Sequence, residues 1–297
     1  MHENLRGIIP PMTTPFRADE TIDEAAFRAD VRHLVQQAGV HGLAIAGSTG
    51  EGHTLSTDET VTLAGCAVEE TAGKVPVICG IIADSTRTAV ERGKAVAGLG
   101  VAALQVTPVH YLFRPDDDAM LRHFDRLVQE TGMPVIIYNV VPWTYLSPAL
   151  LGRIFASVEG VIGVKQSAGD LKLLADLLLT EAGHARIFTA VDALMYSSFA
   201  LGAHGAIAAI LTAAPELCVQ LWDAVQQGDH AQGLDLHKRL LRVWNAINGD
   251  NLPATVRHCM ELQGRRAGKP RDPMPPASEA QASAIRAALQ AAGVPLA

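Results

Sequence analysis

The sequence predicts an α/β fold, a (β/α)8 barrel followed by a C-terminal helical extension. Eight short apolar runs alternate with helix-period segments as far as about residue 228. Strands so continuously apolar are buried on both faces, as in a parallel sheet covered by helices. Eight units within roughly 230 residues suit a closed barrel better than an open doubly wound sheet. No GxGxxG follows the first run, so a dinucleotide-binding sheet lacks its signature.

The elements follow in order. GIIPPMTTPF (7–16) begins as a short strand and passes into a Pro/Thr-rich loop. Asp23 opens a helix with Phe27, Val31, Leu34 and Val35 on one face, closed by Gly39. GLAIAG (42–47) is the second strand, followed by STGEGHTLS. Thr57 is expected to cap the next helix, with Thr60 leaving its capping box incomplete. VPVICGII (75–82) is the third strand, and Ser85 starts a helix that ends near Gly98–Gly100. AALQVTP (102–108), the loop VHYLFRPDDD and a helix over 117–131 come next. MPVIIYNV (133–140) leads through VPWTYLS to a helix from Pro148. The sixth strand is 161–166, the seventh ARIFTAV (185–191) with a helix from Asp192, and the eighth GAIAAI (205–210) with a helix from Ala213. Residues 1–228 thus form the barrel, and 229–297 a helical extension packed on it.

Composition narrows the function classes. The chain is 48% hydrophobic and 19% charged, which marks a globular protein and excludes a disordered one. A net charge of −7 argues against nucleic acid or an anionic membrane as partner. RRAGKPR (265–271) is the nearest approach to a basic run and reads as a solvated tail loop. The four cysteines lack CxxC spacing and the histidines lack HExxH or HxH spacing, so neither disulfides nor a metal site is expected. The N-terminus has no apolar leader core and no apolar run reaches membrane-spanning length, so a cytoplasmic protein is expected.

A barrel carries its active site on the loops at the C-terminal strand ends, which yields a short list of residues. The second strand ends in Gly47-Ser48-Thr49-Gly50-Glu51, the fourth in Thr107-Pro108 with His110 and Tyr111 beyond, the fifth in Tyr138-Asn139, the sixth in Lys165, and the eighth near Ile207. Desolvation disfavours an ammonium ion, so a strand-end lysine facing a pocket is a candidate amine nucleophile. GSTGE offers two hydroxyls and backbone N–H groups beside glycines that let an anion approach. Each feature has a plain alternative: an emerging lysine, a serine-capped turn, a core tyrosine, a surface histidine. Together, they can converge on one small 2-oxo acid.

The order GSTGE, Thr-Pro with an aromatic nearby, YNV and GVKQS resembles the dihydrodipicolinate synthase/N-acetylneuraminate lyase family over essentially the whole chain. The resemblance implies a class I aldolase or lyase on a (β/α)8 barrel. Lys165 would form the imine, Tyr138 would transfer protons, Ser48 and Thr49 would bind the carboxylate, and Ile207 would offer its carbonyl. No cofactor is implied beyond the covalent imine. The partner would be a small-molecule 2-oxo acid, and the assembly a homotetramer built from dimers.

The sequence also departs from the synthase. Where that enzyme has an arginine for the second substrate's carboxylate, NVVPWTYLSPAL has none, and Trp143 falls near the place. Counting from the Thr-Pro of TPVHYLF puts His110 at the place of the synthase's partner tyrosine in a TPYY-type segment, with Tyr111 adjacent, and either could relay a proton. Gln166-Ser167 replaces Glu-Ala. The expectation is a family member with a different second substrate, carrying an apolar or aromatic portion against Trp143. Three alternatives stand beside it: the synthase proper, a 2-keto-3-deoxy sugar acid aldolase or dehydratase, and a non-catalytic 2-oxo-acid sensor. A phosphate-binding barrel enzyme using LGAHGAIAAI is a further class.

Overall fold

The computed structural model describes residues 5–180 and 183–297. Eight strands form one wholly parallel sheet: β1 (Gly7–Ile8), β2 (Leu43–Ile45), β3 (Val77–Ile81), β4 (Ala103–Val106), β5 (Val135–Asn139), β6 (Val161–Gln166), β7 (Arg186–Thr189) and β8 (Gly205–Ala206). β1 pairs with β8 at one end of the strand order, and a parallel bridge between Pro11 and Ala44 joins the other end back to it. Pro10 and Pro11 have no N–H to donate, so β1 stops after two residues. Their stretch still closes the barrel, because Pro10 O accepts from Ala44 N–H and Met12 N–H donates to Ala44 O.

The helices follow in alternation: α1 (Glu24–Gln36), α2 (Thr57–Thr71), α3 (Thr86–Ala97), α4 (Asp117–Thr131), α5 (Pro148–Ser157), α6 (Leu171–Leu178), α7 (Met195–Ala200), α8 (Ile210–Ala213) and α9 (Pro215–Gln226). Asp23 caps α1 and Ser85 caps α3 as expected. α2 corrects the sequence reading. Ser56 rather than Thr57 is its cap, and Glu59 completes the capping box, so the helix starts one residue earlier than expected. The helix expected from Asp192 is a 3-10 turn over Asp192–Leu194 followed by α7. That expected from Ala213 is split at Ala214, where Pro215 starts a new helix.

Two apolar cores result. The barrel interior is filled by Ile9, Ala44, Ile78, Ala103, Ile136, Ile162, Phe188 and Ile207, essentially one residue per strand, with Leu5 beneath. A larger core lies between the outer strand faces and the helices. β6 departs from simple alternation. Its register with β5 steps from Val135–Val161 to Ile136–Gly163, leaving Ile162 as an extra residue. That bulge brings both Ile162 and Lys165 to the interior, three residues apart, and sets Lys165 opposite Tyr138.

Beyond residue 229 come α10 (His230–Ile247), α11 (Leu252–Leu262) and α12 (Glu279–Ala291). α10 packs on α9 and α12, and α11 on α8 and the Ser48–Gly50 turn. RRAGKPR is not the solvated loop the sequence suggested. Arg265 is buried and pairs with Asp30 at 2.8 Å, Arg266 pairs with Asp23, and Arg271 pairs with Glu59. The basic residues face acids from the barrel, and so they clasp the extension to it.

Candidate active site

A cavity of about 280 Å³ opens at the C-terminal strand ends, and Ser48, Thr49, Tyr138, Lys165 and Ile207 all line it. Lys165 is 3% exposed and Tyr138 5%. The Lys165 Nζ lies 3.8 Å from the centroid of the Tyr138 ring, where the aromatic face offsets part of the desolvation of an ammonium. The Tyr138 hydroxyl donates to Ser48 Oγ at 3.1 Å. Amine, phenol and an exposed serine hydroxyl therefore form a short line from the barrel interior to the mouth.

The turn bearing Ser48 and Thr49 is a single 3-10 turn over Ser48–Gly50, with Gly50 and Gly52 N–H both donating to Gly47 O. Its backbone is crowded. A Cβ at Gly52 would lie 1.9 Å from Ala46 O, and one at Gly80 2.4 Å from the same atom. Both positions need glycine. Thr14 Oγ1 donates to Gly50 O at 2.7 Å. Glu51 leaves the turn in a left-handed conformation and its carboxylate is buried, held by the Arg257 guanidinium and by Arg271 N–H at 3.0 Å. Burial lowers the Arg257 pKa and the Glu51 charge opposes that shift.

The sequence reading missed several lining residues. Asp192 follows β7 and is buried, and its Oδ1 accepts from Ile210 N–H at 2.7 Å. Burial pushes its carboxyl up to about 6, against those backbone hydrogen bonds and the attraction of Lys165. An acid directly after a strand end was a visible signal for it. Leu252 and Pro253 reach the cavity from α11. Nothing in the local sequence pointed to them, since the extension is far from the strand ends in sequence.

Three expected residues lie elsewhere. His110 Nδ1 donates to Pro108 O at 3.0 Å and stands 3.6 Å from Asp84. Trp143 is 66% exposed, and its indole N–H donates to His110 O at 3.0 Å. Tyr111 is likewise exposed, beside Leu112 and Phe113. None of the three lines the cavity. The indole is occupied in tying two βα loops together at the rim. A larger hollow of about 540 Å³ opens beside Glu51, between His53, Asp250 and residues 271–275, but includes neither Lys165 nor Tyr138.

The barrel, with a buried lysine against a tyrosine and a hydroxyl turn at its mouth, defines a class: (β/α)8 barrel proteins with a lysine amine in a pocket at the C-terminal strand ends. The chain belongs to the dihydrodipicolinate synthetase family, whose model matches residues 4–292. A 4-hydroxy-tetrahydrodipicolinate synthase of Methanopyrus kandleri is 32% identical over 293 residues, covering 98% of this chain and 97% of the relative. Among solved structures, YagE, a prophage protein of the family from E. coli K12 in complex with pyruvate, is 26% identical. It aligns with a TM-score of 0.92 over 98% of this chain and 99% of its own. CdNal from Clostridium difficile, in complex with mannosamine, is 26% identical with a TM-score of 0.88, covering 96% and 98%.

Proposed function

We propose that this chain is a lyase acting through an imine between Lys165 and pyruvate or a related 2-oxo acid, with no cofactor beyond that bond. One observation carries the reading: a nearly inaccessible lysine amine against Tyr138, whose hydroxyl reaches Ser48 on the turn. The neutral amine attacks the 2-oxo carbon, and the carbinolamine loses water as Tyr138 protonates the departing hydroxyl. In this reading Ser48 and Thr49 hold the carboxylate through hydroxyl and backbone N–H, and Ile207, which lines the same cavity, offers its carbonyl to the imine nitrogen. The protonated imine accepts an electron pair from the bond broken at C3, so that cleavage, addition or dehydration there becomes accessible. Tyr138 exchanges the proton with Ser48, a general acid–base role worth about 10²–10⁴ in rate.

The resemblance to YagE with bound pyruvate supports the 2-oxo acid. The names of the curated relatives favour a second reading, 4-hydroxy-tetrahydrodipicolinate synthesis itself. A homotetramer is proposed with either. The exposed Tyr111, Leu112, Phe113 and Trp143 form an apolar rim of the kind that associating surfaces present. Such an assembly is the route by which the loop of His110 and Tyr111 would approach the proton path of another copy.

Borohydride reduction tests the chemistry. A mass gain on Lys165 is expected only when pyruvate is present, and Lys165→Ala should abolish both the gain and turnover. Labelling at another lysine, or turnover that survives Lys165→Ala, would overturn the reading.

A further inference from the structure

The cavity is larger than a small 2-oxo acid needs. Its 280 Å³ is many times the roughly 10–15 Å³ that a single water requires on the same measure, more than a three-carbon acid fills. Its lining has two halves. The turn, Tyr138 and Lys165 make the half that suits the 2-oxo acid. Apart from Ile207, the remaining lining residues make the outer half: Val140, Ala190, Ala208, Ala209, Leu252 and Pro253, with Ser167 and Asp192 the polar members.

Charge decides what the outer half accepts. Among the described residues, Lys165 is the one cationic side chain in the lining, and the imine occupies it. A carboxylate entering the outer half would leave water for alkyl groups and would face Asp192, itself a buried acid. An unpaired charge carries a large desolvation cost in such a place, and a like charge adds to it. An apolar body has no such cost and gains from contact with the aliphatic wall.

Resting on the imine reading of Lys165, we infer that the second substrate is a neutral aldehyde with a mainly apolar body and no carboxylate of its own. In the condensing direction, loss of a C3 proton turns the imine into an enamine. Its C3 then attacks the aldehyde carbon. The new carbon–carbon bond forms as the carbonyl π pair moves to oxygen, which takes up the proton removed from C3. Water hydrolyses the imine, releasing a 4-hydroxy-2-oxo acid and the free amine. Cleavage is the same sequence reversed.

The test offers the full-length protein pyruvate with butanal, benzaldehyde, succinate semialdehyde or aspartate semialdehyde, and measures kcat/KM from product mass. At least one neutral aldehyde should exceed both carboxylated ones by about tenfold or more, a tenfold ratio being about 1.4 kcal/mol. Val140→Arg, at a half-buried position, should move the ratio towards succinate semialdehyde by about tenfold. A carboxylated aldehyde used as well as the neutral ones, or no turnover of either neutral aldehyde, overturns the inference. Borohydride labelling with pyruvate alone separates the two levels. Failure of the label overturns the imine itself, while a label without the neutral preference overturns only the assignment of the second substrate.

Discussion

Arg257→Met is expected to be the costliest substitution outside the reacting residues. Glu51 and Arg257 are 1% and 2% exposed, so neither charge has recourse to water. Removing the guanidinium leaves the carboxylate with the Arg271 N–H and without its counter-charge. It also strips Ala267 O of the donor it holds at 2.7 Å. Breaking a buried pair from one side costs about 3–5 kcal/mol, and the lost neutral acceptor adds about 1 kcal/mol. Urea unfolding of single and double variants measures the effect. Adding Glu51→Gln to Arg257→Met should recover about 1–3 kcal/mol, because the stranded charge goes with it. Function should move too. Glu51 directly follows the Ser48–Gly50 turn, so a loosened Glu51 should raise KM for the 2-oxo acid more than it lowers kcat. Strictly additive losses, or a KM unchanged in a folded Arg257→Met protein, would refute the idea that the clasp aligns the turn.

The other predictions are more local. Tyr138→Phe should keep the fold and lower kcat by about 10²–10⁴, checked by pyruvate-dependent turnover alongside circular dichroism. Asp192, its carboxyl raised from 3.8 to about 6, is protonated in the fold where the unfolded chain is ionised. Native protein then binds more protons between those values, so this group's contribution falls as pH rises from about 4 to 6, by about 2–3 kcal/mol. Denaturation curves of Asp192→Asn should lack that fall relative to wild type. His123 acts in the opposite sense. Burial lowers it from 6.5 to about 4, so its contribution is complete above about 6.5 and lost as pH falls towards 4, by about 3 kcal/mol; His123→Asn should flatten that loss. Leu112→Asp with Phe113→Asp should reduce the sedimenting mass if the apolar rim joins copies, and an unchanged mass would place the interface elsewhere.

The sequence made the central side chains of the cavity legible better than the walls around them. Lys165, Tyr138 and the Ser48–Thr49 turn all end apolar runs, and strand ends of a barrel share one face, so their convergence follows from topology. The bulge at Ile162 did not show, since an extra residue in an apolar run leaves its composition unchanged. Nor did Leu252 and Pro253, which arrive by tertiary packing from a helix with no strand to announce it. RRAGKPR read as solvent-exposed because its acidic partners, Asp23, Asp30 and Glu59, lie more than two hundred residues away. The cap of α2 shifted by one because adjacent Ser56 and Thr57 are both good capping residues, and only Glu59 at the right offset decides between them. Trp143 came from resemblance to relatives, and His110 from its place just beyond the fourth strand as well as from that resemblance. In this chain the Trp143 indole donates to the His110 backbone carbonyl, and the His110 ring donates to Pro108 O.

α11 carries Leu252 and Pro253 at its first turn and Arg257 little more than one turn later. A single rigid rod thus touches the wall of the cavity and the clamp beside the Ser48–Gly50 turn. Drift in this helix would alter selectivity and alignment in concert, so neither trait is free to evolve alone. Grafting residues 248–275 from one homologue into another should therefore transplant preference as a unit, while piecemeal exchange of the wall without its arginine should yield misaligned hybrids.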